Sequence, residues 1–211
     1  GFWALALFYS QVGVHHLIGG PVPTWLVTLS IVTSVMMVVP VFAVAVNHHF
    51  TMLGHFRALK YSPTLLFVVP GAMMYTLVSL QGSLQSMRTV NQITHFTHAT
   101  VAHAHLGVYG FVSFIMFGSL YFILPRALHK EWPSPRLIRW HFWSAFLGIL
   151  IYFGILTVGG VLQGLQMQDA GIDFSSIVEA TKPYLWGRSI GGSLMLISHL
   201  IFSFHIWRLF Q

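Results

Sequence analysis

Thr97-His98-Ala99-Thr100-Val101-Ala102-His103-Ala104-His105-Leu106-Gly107 opens an apolar run long enough to cross a bilayer. Each residue of an α-helix advances about 100°, so His103 and His105 point about 200° apart. They cannot grip one metal ion from the same helix. Each faces its own partner, on either side of a rod about 10 Å thick. Imidazole inside a membrane is costly and marks ligation or proton chemistry. Small residues at Ala99, Ala102, Ala104 and Gly107 clear the space that a flat macrocycle needs. An axial His leaves a haem iron six-coordinate when a second His arrives and open when none does. The competing reading is two histidines bonded to neighbouring helices, and the small neighbours favour ligation.

The rest of the chain is of the same kind. Of its 211 residues 55% are hydrophobic and 7% charged, and mean hydropathy is +0.74, the composition of a membrane protein. The four acids are Glu131, Asp169, Asp173 and Glu179, against ten Lys and Arg and a net charge of +6. Those basic residues lie between apolar runs, so they speak for lipid head groups and topology, not for nucleic acid. The chain has no Cys, which excludes disulfides, iron–sulfur ligation and a thiolate copper centre within it. Thirteen His beside four acids favour neutral-nitrogen ligation over carboxylate chemistry. Gly1-Phe2-Trp3-Ala4-Leu5 opens mid-run with no charged leader, unlike a signal peptide. The expectation is a piece of a longer chain whose earlier helices precede it.

Apolar runs of about 20 residues mark spans, here near 2–18, 25–46, 63–85, 96–124, 138–162 and 185–209. The expected fold is an all-α bundle of six transmembrane helices forming a single membrane domain over residues 1–211. Breaks fall at Gly19-Gly20-Pro21-Val22-Pro23, Ser62-Pro63, Pro125 and Pro133-Ser134-Pro135. Six spans put Arg57, Lys60, Arg126, Lys130, Arg136, Arg139 and Arg208 on one side and Arg88, Lys182 and Arg188 on the other. The richer side is expected to be cytoplasmic. Asp169, Asp173 and Glu179 then lie in a long outer loop, 163–184. A second pair, His15-His16, closes the first run at the same outer end as His103.

Neighbouring residues on a regular helix diverge by about 100°, so His15 and His16 converge on one ion only where the helix unwinds. Gly13 and Gly19-Gly20-Pro21 permit that. Read alone, the pair is equally an interfacial helix end. Tyr9 shares a face with His16, about two turns away; a phenol beside a metal supplies an electron and a proton, and an isolated one is a plain span aromatic. Tyr75, Ser79 and Ser83 recur every four residues as a polar stripe, joined by Thr76, Gln81 and Gln85. That stripe reads equally as a proton path and as interhelical glue. Gly148, Gly154, Gly159, Gly160, Gly164, Gly191 and Gly192 read as close-packing positions. His48, His49, His55 and His129 fall in or beside cytoplasmic loops and read as solvated, whereas His141, His199 and His205 have no partner visible in the sequence.

Taken together, Tyr9-x5-His15-His16, Arg88-Thr89-Val90-Asn91, His95-Phe96-Thr97 and His103-x-His105 resemble the catalytic subunit of the C-family haem–copper oxidases, the cbb3-type cytochrome c oxidases. The resemblance spans most of the chain and corresponds to the last six core helices of that subunit. It implies copper on His15 and His16, a high-spin b-type haem on His103 and a low-spin b-type haem on His105. It implies an active-site role for Tyr9, haem propionates near Asn91 and His95, and a proton pathway through Tyr75, with Ser79 and Gln81 beside it. The missing first half would supply a third copper His and the second axial His of the low-spin haem. The implied activity is proton-translocating reduction of O2 to water in a bacterial inner membrane, its site near the outer face and its electrons coming from cytochrome c through c-type cytochrome subunits. Where several members carry a glutamate in the third span, this chain has Gln81, which cannot ionise.

The nearest rival is the membrane subunit of nitric oxide reductase, with iron in place of copper. Such reductases add glutamates near the non-haem iron, since iron accepts oxygen ligands well. The matching position here is Met37, no acid lies in any span, and the reductases lack the tyrosine at Tyr9. A rival from another class is a His-lined metal or proton transporter without haem, which would show broken helices and internal symmetry; neither is visible.

Overall fold

The computed structural model describes all residues, Gly1–Gln211, and the chain is entirely helical. Five helical rods are long and apolar enough to cross a membrane, one fewer than expected. The run expected at 2–18 is a short helix, α1 (Phe2–Val12), closed by a 3-10 turn, Gly13–Leu17. Together they fall short of the roughly 20 residues a span needs.

The next rod bends. α2 (Thr24–Met36) and α3 (Val38–Met52) meet at Met37. Pro40 explains the joint: it offers no N–H to the Met36 carbonyl and its ring crowds the preceding turn. α4 (Pro63–Ser86) starts at a serine cap, where Ser62 Oγ accepts from the Leu65 N–H at 3.2 Å. Pro63 stands at the first helical position, where a missing N–H goes unfelt. A short α5 (Arg88–Thr94) follows.

His98–Leu128 is one rod with an irregular centre. α6 (His98–His105) passes into a π-helical stretch, Leu106–Ser113, and then into α7 (Phe114–Leu128). Ser113 Oγ donates to the Val108 carbonyl at 3.0 Å, five residues back. Widened turns of this sort are frequent at functional sites, and this one begins immediately after His105. Pro125, expected to break the chain, lies inside α7. The Tyr121 carbonyl it frees accepts the Trp132 indole N–H at 3.0 Å instead, and the helix ends at His129 in the left-handed region, φ 51°.

α8 (Pro135–Met167) and α9 (Phe174–Phe210) form a long antiparallel hairpin. The expected outer loop 163–184 is therefore mostly helix, with only 168–173 between the two. Hydropathy reports membrane thickness, and both helices continue past it. Glycines set the hairpin's closeness. A Cβ on Gly191 would come within 2.8 Å of the Tyr152 nitrogen, and one on Gly148 within 2.9 Å of the Gly191 carbonyl. Gly160 and Gly164 have the α6 and α5 backbones, at Ala99 and Ile93, where a side chain would be. Gly154 and Gly192, expected to be packing positions too, face open space.

The main core joins α4, α7, α8 and α9 around Phe67, Leu106, Phe114 and Ile149, all fully buried. Outward-facing tryptophans mark both rims: Trp25 and Trp186 at one, Trp140 and Trp207 at the other. That is the aromatic belt of a membrane protein.

Candidate metal centre

The 3-10 turn after α1 does what a regular helix cannot. Leaving the α form at Gly13, it brings the rings of His15 and His16 to a centroid separation of 4.1 Å. His15 is buried and His16 exposed. Two serines on α2 brace the turn. The His15 N–H donates to Ser30 Oγ at 2.8 Å, and Ser30 donates to the Val12 carbonyl at 2.8 Å. Ser34 donates to the Ser30 carbonyl at 2.6 Å, so its oxygen is left to accept from His15 Nδ1 at 2.9 Å. His15 therefore carries its hydrogen on Nδ1, and its buried Nε2 has no partner.

A cavity of about 220 Å³ gathers Tyr9, His15, His16 and His103, walled by Ser34, Met37, Ser79, Gly82 and Ser83. Five of the expected site residues, Tyr9, His15, His16, Ser79 and His103, thus share one space. His103 reaches it from α6, with Nδ1 3.2 Å from Gln81 Oε1. Gly82 leaves room beside the ring, since a Cβ there would stand 3.5 Å from His103 Nε2.

His105 faces away from this cavity, toward α8. Its Nδ1–H donates to the Val101 carbonyl at 2.9 Å, which fixes the tautomer and puts the lone pair on Nε2. The Tyr152 phenol approaches that nitrogen at 3.3 Å and its ring lies against the imidazole, centroids 4.6 Å apart. The two histidines of the pair are on opposite flanks, as their spacing dictates.

Asn91 is buried and donates to the Gln85 carbonyl at 3.1 Å. With Arg88 and His95 it lines a separate cavity of about 430 Å³. His95 Nε2 is buried without a partner, and Arg88 donates to Thr28 Oγ1 at 2.7 Å. The polar stripe divides. Ser83 donates to the Ser34 carbonyl at 2.7 Å and acts as glue between α4 and α2, Ser79 lines the histidine cavity, and Tyr75 packs on the Phe111 ring at 4.9 Å. His48 lies on α3, not in a loop, 3.4 Å from Thr76 Oγ1. His141 and His205 do have partners, Tyr121 and the Ser134 N–H. No group of three or more His or acidic side chains converges as a complete metal site, so the pair on the 3-10 turn is an incomplete donor set.

Sequence reasoning missed Ser30, Ser34 and Tyr152. Ser30 and Ser34 were within reach: two serines four apart share one helix face, in an otherwise apolar run beside a His pair. Tyr152 gave no such signal, being one aromatic among many on α8.

Residues 1–194 match the family model described as cytochrome C and quinol oxidase polypeptide I. The chain belongs to this family. A bacteroid cytochrome c oxidase subunit 1 homolog from Bradyrhizobium diazoefficiens is 35% identical over 98% of the chain and 39% of the relative. A cbb3-type cytochrome c oxidase subunit from Stutzerimonas stutzeri is 31% identical over 100% of the chain and 46% of the relative. The cbb3-type likeness read from the motifs is borne out. A nitric oxide reductase subunit from the same organism matches at 29% identity over 55% of the chain and 26% of the relative, a partial likeness. In structure the chain resembles a haem–copper terminal oxidase dimer solved by electron cryomicroscopy, with a TM-score of 0.75 over 98% of this chain and 41% of that one. At 18% identity this is a likeness of fold. The chain spans about two-fifths of the length of the curated relatives it matches first.

Proposed function

We propose that this chain is the metal-binding part of a terminal respiratory oxidase subunit that reduces O2 to water in a bacterial inner membrane, its site near the outer face. In this reading α1 belongs to the first of six helices, and c-type cytochrome subunits deliver electrons from cytochrome c. The observation that carries it is a shared orientation. His15 and His103 each turn Nδ1 to a protein oxygen and keep Nε2 for a ligand, and His105 likewise turns Nδ1 to a carbonyl, its Nε2 meeting only the Tyr152 phenol, which a haem would have to displace. Metal-binding histidines are commonly fixed in this way. The residues present therefore fit the family's cofactors: His103 would hold a high-spin b-type haem, His105 a low-spin one, and His15 with His16 a copper that still needs a donor from outside the chain. When bound, these groups would accept and pass on electrons and bind O2.

The chain's own residues handle the protons. Tyr9 holds a phenolic proton at the cavity wall. Tyr75 and Ser79 lie on one face of α4, and Ser79 opens on the cavity, a route from the basic side. Gln81 does not ionise; its amide oxygen orients His103. Arg88, Asn91 and His95 offer N–H donors to carboxylates such as haem propionates. Unpaired charge in this low-dielectric interior is expensive, which ties each electron's arrival to a proton's uptake.

Met37 speaks against the reductase reading. It occupies the cavity wall where an iron-binding glutamate would be expected, and no acid lines that wall. A haem-free transporter would give no haem bands in a reduced-minus-oxidised spectrum.

The spectrum of the intact complex is the test. His103→Ala should remove the high-spin signal alone and His105→Ala the low-spin signal alone; two variants that kept both signals would overturn the assignment. Tyr9→Phe should keep the metals and abolish O2 turnover, and normal turnover would remove Tyr9 from the chemistry. Unchanged turnover in Gln81→Glu would show that proton delivery is not limited there.

A further inference from the structure

On the basic side, the first turn of α4 and the last turn of α7 wall a cavity of about 1070 Å³. Both turns stand at the edge of an apolar rod, Pro63 opening one and Leu128 closing the other. Lipid head groups lie at that depth. Three bases, Arg126, His129 and Lys130, line the cavity against one acid, Glu131. That acid pairs with none of them: the chain's one ion pair, Lys182–Glu179, is at the far end of α9.

The local structure fixes these bases and leaves donors over. At the left-handed His129 the chain turns back, and the Lys130 N–H donates to the Pro125 carbonyl at 3.0 Å. The Lys130 ammonium donates to the Leu209 carbonyl at 3.1 Å, which ties this corner to the end of α9. The Arg126 guanidinium lies 3.6 Å over the Phe122 ring and gives one N–H to the Phe122 carbonyl at 2.8 Å. The rest of its planar fork, a match for phosphate oxygens, has no protein partner. Across the cavity, Pro63 has no N–H and Ser62 Oγ takes that of Leu65, so the Thr64 N–H is left free at the positive end of α4. Phe122 and Ile123, 47% and 54% exposed, carry an apolar strip from the cavity along the outer face of α7.

We propose that this cavity seats the head group of an anionic phospholipid, its phosphate between Arg126, Lys130 and the start of α4 and its acyl chains along Phe122 and Ile123. The surplus of bases selects an anion, and the exposed apolar strip selects one with a tail. A free phosphate has nothing to lay against Phe122 and Ile123. A zwitterionic lipid carries an ammonium that the same bases repel, so the seat discriminates by head-group charge. Basic pockets between spanning helices on the cytoplasmic side are suited to such head groups, and Trp132 in the wall is an aromatic of the kind found at that depth.

The test is lipid retention by the intact protein taken from vesicles of phosphatidylglycerol and phosphatidylethanolamine, counted by native mass spectrometry. The unaltered protein should keep phosphatidylglycerol. The double variant Arg126→Gln, Lys130→Gln should lose it several-fold, with phosphatidylethanolamine unchanged. Arg57→Gln removes one charge from the same side outside this cavity and should keep the lipid, while Glu131→Lys should hold it more tightly. Undiminished phosphatidylglycerol in the double variant, or an equal loss in Arg57→Gln, overturns the proposal. So does displacement by inorganic phosphate at constant ionic strength, which would make this a seat for a soluble anion. Should the double variant fail to fold, Glu131→Lys decides, and unchanged retention there overturns the proposal. None of these residues is a metal ligand in the oxidase reading, so haem spectra judge that reading independently.

Discussion

Around Phe67 and Phe114 no surface is left uncovered, whereas Tyr9, at the rim of the histidine cavity, is 67% exposed. The two regions are held by different forces. The aromatic core between α4, α7, α8 and α9 rests on many weak, non-directional contacts, each small and collectively large. The cavity rests on a few directional bonds, from Ser30, Ser34 and Gln81, that orient the His15 and His103 imidazoles and leave His15 Nε2 without a partner. A core tolerates no vacancy; a metal centre requires one. Damage to the first should therefore appear as lost stability, and damage to the second as lost metal at nearly unchanged stability.

The sharpest break is expected where the two regions touch. Gly160 on α8 meets the Ala99 backbone at the start of α6, the helix that bears His103 and His105. Gly160→Val should displace α6, losing the folded protein and both haem signals together. Gly154→Val, on the same helix but facing open space, should be nearly silent. Yield of folded protein and thermal unfolding in detergent measure the difference, and equal effects would refute the close packing of α6 on α8. Inside the core, Phe114→Ala should cost about 3–5 kcal/mol with both haem spectra retained in what remains folded. In the cavity, Ser34→Ala removes the acceptor for His15 Nδ1. It should weaken copper binding about tenfold or more and barely move the unfolding temperature, and unchanged copper content would show that the serine does not orient the ligand.

The same contrast explains what the sequence made legible. The His15-His16 and His103-x-His105 pairs can be read because helix geometry alone dictates where such side chains point. The opposite flanks taken by His103 and His105 follow from spacing, whatever packs around them. Features that depend on what happens between elements were not legible. Pro125 reads as a break because its partner is invisible in the sequence; the Trp132 indole takes over the freed Tyr121 carbonyl. The π-helical stretch Leu106–Ser113 escapes any reading that assumes 3.6 residues per turn. The loop expected at 163–184 was drawn from the limit of apolar character, which tracks the bilayer and not the helix. The polar stripe on α4 had two equal readings in sequence, and each has a residue that fits it: Ser83 bonds to α2, while Ser79 faces the cavity.

The smallest effect belongs to neither region and serves as their control. Asp173 caps the start of α9 at an exposed position, accepting from the Ser176 N–H at 3.1 Å and from the hydroxyls of Ser175 and Ser176. Those bonds, the Ser175 hydroxyl foremost, hold its carboxyl down at about 2, below the usual aspartate range. A carboxyl that is more acidic when folded stabilises the fold above its unfolded pKa, and loses that contribution as pH falls through the folded value. The cap should therefore be constant through neutral pH, weaken below about pH 4 and vanish near pH 2. Asp173→Asn should remove this acid-range slope while keeping most of the capping bond, since Asn caps about as well. Asp173→Ala should lose both. Neither change should alter the haem spectra or copper content, because α9 is anchored along its length by Gly187 and Gly191 against α8 and the cap tightens only the first turn. A shift of either metal signal in these variants would mean that the end of α9 and the histidine cavity are coupled, and that stability and metal binding are less separable than the geometry makes them.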